Sequence, residues 1–167
     1  MDVVYDFWSG ESIEQVIQNI AEFRIQVLGD AENIHHSLSS EINFLQHYFS
    51  NDASIIVAND CGSIVGYISC ISFSDFHSEL IEFSHFGDDL KISEGPLVHL
   101  NYRNMGIGKG LVQEALNHCE SYDASLFIID PIKIMRSESK PSVHSIMKHF
   151  NFKEIANKFI FQKELSS

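Results

Sequence analysis

The sequence predicts a mixed α/β layer fold, and three features carry that prediction. Helical and strand-like segments follow one another in the order ααββ–βα–βα–ββ. Two apolar runs meet at Asn59-Asp60-Cys61-Gly62, a hairpin signal. Residues 125–130 (SLFIID) are almost wholly apolar, as a strand covered on both faces requires. No repeat or linker divides the 167 residues, so a single domain over 1–167 with one core is expected.

The elements follow in order. Ser12-Ile13-Glu14-Gln15 has the form of a capping box. Ile13, Val16, Ile17, Ile20, Phe23 and Val27 continue at helical spacing, with Gly29 as the expected stop. Residues 30–39 read as a loop, and Ser40 as the cap of a second helix with Ile42, Leu45 and Phe49 on one face. Strands are expected at 54–58 (SIIVA) and 63–71 (SIVGYISCI), then a long loop over 73–91. A strand over 92–99 breaks at Gly95-Pro96, because proline donates no ladder hydrogen bond. The helix over 107–122 buries Ile107, Leu111, Val112, Ala115, Leu116 and Cys119. After the strand at 125–130 comes a polar connection, 131–140. Pro141 then suits the first turn of a helix that buries Val143, Ile146, Met147 and Phe150. Residues 152–156 and 159–163 form a closing hairpin around Asn157.

Composition removes several function classes. Eleven basic against twenty-three acidic residues give a formal charge of −12, which repels a phosphate backbone and favours a cationic partner over nucleic acid. No run approaches the ~20 apolar residues needed to span a bilayer, so no membrane partner is expected. Residues 1–12 carry two aspartates and no basic n-region, so no signal peptide is read there. Cys61, Cys70 and Cys119 are odd in number and lack C-x-x-C spacing, which points to a reducing cytoplasm rather than a disulfide framework. His35-His36 are adjacent, and the pairs His77/His85 and His144/His149 lack i,i+4 ligand spacing, so no metal site is expected.

The stretch YRNMGIGKG, residues 102–110, lies between a strand and a helix. A helix N-terminus presents unpaired N–H groups and partial positive charge, and glycines there admit close approach to the backbone. Together they make a site for a phosphate or diphosphate, or, more plainly, a tight packing turn. Lys109-Gly110 does not satisfy the P-loop pattern, and Leu111 stands where a dinucleotide fingerprint needs its third glycine.

Residues 95–116, GPLVHLNYRNMGIGKGLVQEAL, resemble instead the coenzyme A signature of the GNAT N-acetyltransferase superfamily. Its core, [QR]-x-x-G-x-[GA], is met by Arg103, Gly106 and Gly108; the usual V-x-P appears as Val98-His99-Leu100, without the proline. Over residues 10–163 the element order is also similar to that superfamily. The resemblance implies a mostly antiparallel central sheet flanked by helices and splayed at the cofactor strand. It implies acetyl-CoA as co-substrate, its diphosphate held by the backbone of Asn104, Met105, Gly106, Ile107, Gly108 and Lys109. Pro96, Leu97 and Val98 would pair with the pantetheine arm, and the Val98 N–H would donate to the thioester oxygen.

Transfer to an amine also needs a base. Glu94 and Asp130 are the candidates, each near the end of a strand beside the implied gap; the plain alternative for each is a solvated strand-end carboxylate. His99 is a further candidate, acting through water, unless it faces away from the cleft. In many superfamily members a late-helix tyrosine serves as acid, in the pattern N-x-x-A-x-x-x-Y-x-x-x-G-F. Here KPSVHSIMKHFNF puts Met147 at that position, with His144 and Ser145 nearby. The acceptor implied is a primary amine of a small molecule or peptide. Asp75, Glu79, Glu82, Asp88 and Asp89, among Phe73, Phe76, Phe83 and Phe86, suggest that it is cationic, unless that loop is structural. The protein is expected to be a monomer or homodimer. A non-catalytic acyl-CoA sensor and an unrelated nucleotide-phosphate binder are the competing functions.

Overall fold

The structure, a computed structural model, describes residues 2–32, 37–49, 52–73, 75–132, 140–155 and 158–166; the side chains of 30, 31, 32, 75–78, 140 and 141 lie outside the description. Its elements are β1 (Val4–Ser9), α1 (Ile17–Glu32), α2 (Leu38–Tyr48), β2 (Ser54–Asp60), β3 (Ser63–Ser72), β4 (Leu90–Ser93), β5 (Leu97–Val98), α3 (Ile107–Ser121), β6 (Leu126–Ile129), α4 (Lys140–His149), β7 (Lys153–Glu154) and β8 (Phe161–Glu164). The strands form one sheet in the order β1-β2-β3-β4-β6-β8-β7, with β5 pairing to β3 beside β4. Among the described residues the pairing is antiparallel except between β4 and β6. This is the mixed, mostly antiparallel sheet that the sequence led us to expect.

Several boundaries differ from expectation. β1 had no counterpart in the sequence reading; six of its residues pair in register with β2, from Val4↔Asn59 to Ser9↔Ser54. The capping serine pair lies one turn early, with the Ser9 N–H donating to Ser12 Oγ at 3.1 Å and that hydroxyl to Ser9 O at 2.7 Å. It opens a 3-10 segment, Gly10–Gln15, and α1 proper begins at Ile17. Gly29 does not stop α1, which continues to Glu32. One glycine costs a helix about 1 kcal/mol, less than packing returns. Ser37, not Ser40, caps α2: its Oγ accepts from the Ser40 N–H at 3.2 Å. The expected loop over 30–39 therefore shrinks, and residues 33–36 lie outside the described ones. Asp75–Asp89 is a 3-10 segment rather than an irregular loop. The connection over 131–140 and the centre of the last hairpin, Ala156 and Asn157, fall largely outside the described residues.

The other elements match closely. The β2–β3 turn narrows to Cys61 and Gly62, with φ of 51° and 83°, the paired positive values of a two-residue hairpin. All six residues expected on the inner face of α3 are buried. Adjacent β3 residues show how the layers divide. Tyr67 reaches Arg24 of α1, whereas a side chain at Gly66 would press on Ile107 and Leu111 of α3. α1 and α3 therefore cover opposite faces, and Gly66 permits the close approach of α3. Gly110 does the same for β1, since a Cβ there would occupy the space of the Tyr5 hydroxyl.

Candidate active site

The break at Gly95-Pro96 opens the sheet. β4 runs beside β6 up to Ser93↔Ile129, and the Asp130 N–H closes that ladder on Ser93 O at 2.8 Å. The Ser93 hydroxyl then accepts from the Gly95 N–H at 3.0 Å, and Gly95 takes φ 87°, a turn that favours glycine. Past this bulge β5 still pairs with β3, through Gly66↔Val98 and Tyr67↔Leu97, but no longer with β6. The strands have parted.

The direction of one peptide group follows from the pairing. The His99 N–H donates to Val65 O at 2.9 Å, and N–H directions alternate along a strand. Val98 therefore turns its N–H and carbonyl away from β3, to the side that β6 has left. Its carbonyl accepts from Arg103 Nε at 3.3 Å, which fastens the glycine loop to the end of β5. In that loop Asn104 and Gly106 have φ of 64° and 84°, and Gly106 is the N-cap of α3. The first α3 bond runs from Gly110 N to Gly106 O at 3.0 Å, so the N–H groups of Ile107, Gly108 and Lys109 precede every intrahelical acceptor. Met105 and Lys109 are exposed, whereas Pro96, Leu97 and Ile107 are buried. A Cβ on Gly108 would lie 3.0 Å from Ile146 Cδ1, 3.8 Å from Val98 and 3.9 Å from Pro96. The start of α3, β5 and α4 thus meet around Gly108.

Glu94 and Asp130 both lie at this opening, on either side of the β4–β6 ladder's end. Glu94 is not a merely solvated carboxylate. Its Oε2 accepts from Arg24 Nη1 at 2.7 Å and lies 3.5 Å from the Tyr67 hydroxyl. Arg24, only 5% exposed, also donates through Nε to Glu41 at 2.5 Å and through Nη1 to Tyr67 at 2.5 Å, with its Cζ 5.4 Å from the Phe44 ring centre. Burial disfavours the guanidinium charge, but Tyr67, Glu94 and Glu41 outweigh it and hold the Arg24 pKa well above its ordinary value. Burial also pushes the Tyr67 hydroxyl up, as it does Tyr48, on which the charges of Glu94 and Asp130 act in the same sense. Two carboxylates around one guanidinium, with Asp130 close enough to act on Tyr48, leave the cluster with excess negative charge.

His99 is turned toward α1, with Nε2 3.1 Å from Gln26 Nε2 and Nδ1 accepting from the Asn101 N–H. Met147 is 1% exposed and belongs to the core, while Asn151, with φ 59°, ends the helix where the family pattern has glycine. Met147→Tyr is therefore expected to lower the melting temperature without raising turnover. Overpacking costs about 1–3 kcal/mol, and a buried hydroxyl adds to it. Unchanged stability with faster turnover would contradict this placement.

Arg24, Glu41 and Tyr67 were missed by sequence reasoning. A signal existed: Arg24 falls four residues after Ile20 and three before Val27, on the apolar stripe of α1. The acidic segment 73–91 is less central than expected. It leaves β3 after Ser72 and enters β4 at Leu90, the end remote from the bulge. Leu80 is buried, Phe83 and Phe86 pack on the core, and Glu79, Glu82, Asp88 and Asp89 are exposed. The side chains of Asp75 and Phe76 lie outside the described residues. A cleft of about 500 Å³ at that same remote end is lined by Phe49, Cys70, Lys91 and His118. There Lys91 donates to Asp52 at 2.5 Å and to Ser72 at 3.0 Å. Among the described residues no His, Cys, Asp and Glu side chains gather as a metal site, and no helix is long and apolar enough to cross a membrane.

Residues 21–133 match the family model described as Acetyltransferase (GNAT) family. The chain belongs to the GNAT acetyltransferase family. No curated protein matches it. Solved GNAT structures share its fold at low identity. A GNAT-family acetyltransferase from Staphylococcus aureus Mu50 superimposes with a TM-score of 0.67 at 16% identity, covering 98% of this chain and 100% of that one. A GNAT superfamily phosphinothricin acetyltransferase from Sinorhizobium meliloti, in complex with acetyl-CoA, gives 0.66 at 18% identity, covering 97% and 89%. The protein yncA from Salmonella typhimurium, also with acetyl-CoA, gives 0.62 at 10%, covering 100% and 96%. The GNAT fold and an acyltransferase family are thereby established for this chain.

Proposed function

We propose that this GNAT protein is an N-acetyltransferase that uses acetyl-CoA and acts on a cationic primary amine of a small molecule or peptide. The observation that carries the reading is the Val98 N–H, turned into the parted strands beside a helix N-terminus whose first N–H groups precede any acceptor. The bound acetyl-CoA in the Sinorhizobium and Salmonella structures supports the choice of co-substrate. The glycine loop fits its diphosphate: Gly106 takes a positive φ, and nothing lies within 4 Å of where its Cβ would be.

On this reading the backbone of residues 104–109 holds the diphosphate, and Pro96, Leu97 and Val98 line the pantetheine arm. The Val98 N–H would stabilise the negative charge that develops on the thioester carbonyl oxygen. Glu94, with Asp130 as the alternative, takes a proton from the acceptor's ammonium and frees the amine lone pair for attack. The excess acidity of the Glu41–Arg24–Glu94 cluster favours an acceptor that arrives charged. With Met147 in the core, the leaving thiolate takes its proton from water. The chain acts as one domain over 1–167 in a reducing cytoplasm, where the free thiols of Cys61, Cys70 and Cys119 are stable.

The buried methionine also favours a second reading, a non-catalytic acyl-CoA sensor. Free-thiol release from acetyl-CoA, with and without an amine panel, separates the two. Amine-dependent release supports transfer. Binding of coenzyme A without any release supports the sensor.

A further inference from the structure

Arg24 takes no step in the reaction above, yet it ties α1, α2, β3 and the bulge together. Its guanidinium is planar, so fixing one nitrogen fixes the others. Glu41 holds Nε at 2.5 Å, which aims Nη1 at the Tyr67 hydroxyl at 2.5 Å and at Glu94 Oε2 at 2.7 Å. The hydrogen bonds of the Glu94 carboxylate run through Oε2; Oε1 makes none among the described residues, and the side chain is 16% exposed. One oxygen is anchored and the other is open. A glutamate carboxyl otherwise turns over a broad range about its last bond, so the anchor determines where the open oxygen sits.

We propose that Arg24 is the positioning residue for Glu94, and that Glu41 of α2 sets it through the guanidinium. The helical layer is then part of the proton-accepting apparatus and not only a cover for the sheet. This rests on the acetyl-transfer reading, with Glu94 as base. Lysine at position 24 would keep the charge but lose the fork that serves three acceptors at once.

The test uses Arg24→Lys and Glu41→Gln in the full chain, with an amine found active in the thiol-release assay. Each is expected to lower kcat by about tenfold or more, while KM for acetyl-CoA and the thermal shift given by coenzyme A stay at wild-type values. In a double-mutant cycle the loss from Glu41→Gln should vanish once Glu94 is Gln, since there is then no base to aim. An equal loss in both backgrounds, or a fall in melting temperature with kcat unchanged, overturns the proposal. If Arg24→Lys does not fold, Glu41→Gln, which leaves Arg24 paired with Glu94, decides alone. A wild-type protein that releases no thiol with any amine overturns the transfer reading, and this role with it. Wild-type turnover with independent effects of Glu41 and Glu94 overturns the positioning role alone.

Discussion

Gly108→Val is expected to abolish the stabilisation that coenzyme A and acetyl-CoA give the protein. At a hundredfold excess over Kd, a ligand specific for the folded state contributes about 2.7 kcal/mol, or roughly 5–10 °C in melting temperature for a chain of this size. The wild-type protein should show a shift of that order, and a much smaller one with NAD or ATP. Valine at 108 would project toward Ile146, Val98 and Pro96, beside β5 where the strands part. Its nearest neighbour is the tip of a flexible isoleucine, so the fold should survive while the added branch obstructs the backbone beside β5. Gly110→Ala is the contrasting change: it collides with Tyr5 and should lower the melting temperature of the unliganded protein. A normal coenzyme A shift in folded Gly108→Val protein would put the cofactor elsewhere.

Glu94→Gln is expected to lower kcat by about 10²–10⁴-fold, the usual contribution of a general base, with coenzyme A binding retained. Glutamine keeps the shape of the side chain, and Arg24 keeps Glu41 and Tyr67 as partners, so the variant should fold. Asp130→Asn, measured alongside, separates the two carboxylates. If it carries the loss and Glu94→Gln does not, Asp130 is the base and the Arg24 cluster supports only the bulge. Loss of coenzyme A binding in either variant would show a role in holding the cofactor rather than in proton transfer.

Local chemistry made much of the fold legible. The hairpin residues Cys61 and Gly62, the break at Gly95-Pro96 and the apolar face of α3 each carry their own signal, and each lies where the sequence puts it. What escaped was written between distant segments. β1 has strand-forming residues but no bracketing turn, and its partner lies some fifty residues on. Residues 75–89 lack the helical period because a 3-10 segment does not have it. At the candidate site, the glycine loop and the two carboxylates were legible because strand–turn–helix chemistry is local. Arg24 and Glu41 read as flaws in two apolar helix faces until the fold brings each the other's charge.

The meeting of Tyr5 with Gly110 bears on the order of assembly. The two residues are far apart along the chain, yet the tyrosine fills the space left by the missing side chain on the helix that follows the glycine loop. α3 can seat fully only when β1, already paired with β2, presents that ring to it. Contacts of such long sequence separation slow folding, because loop-closure entropy is spent before they form. The helix that follows the glycine loop is thus seated by a strand distant from it along the chain.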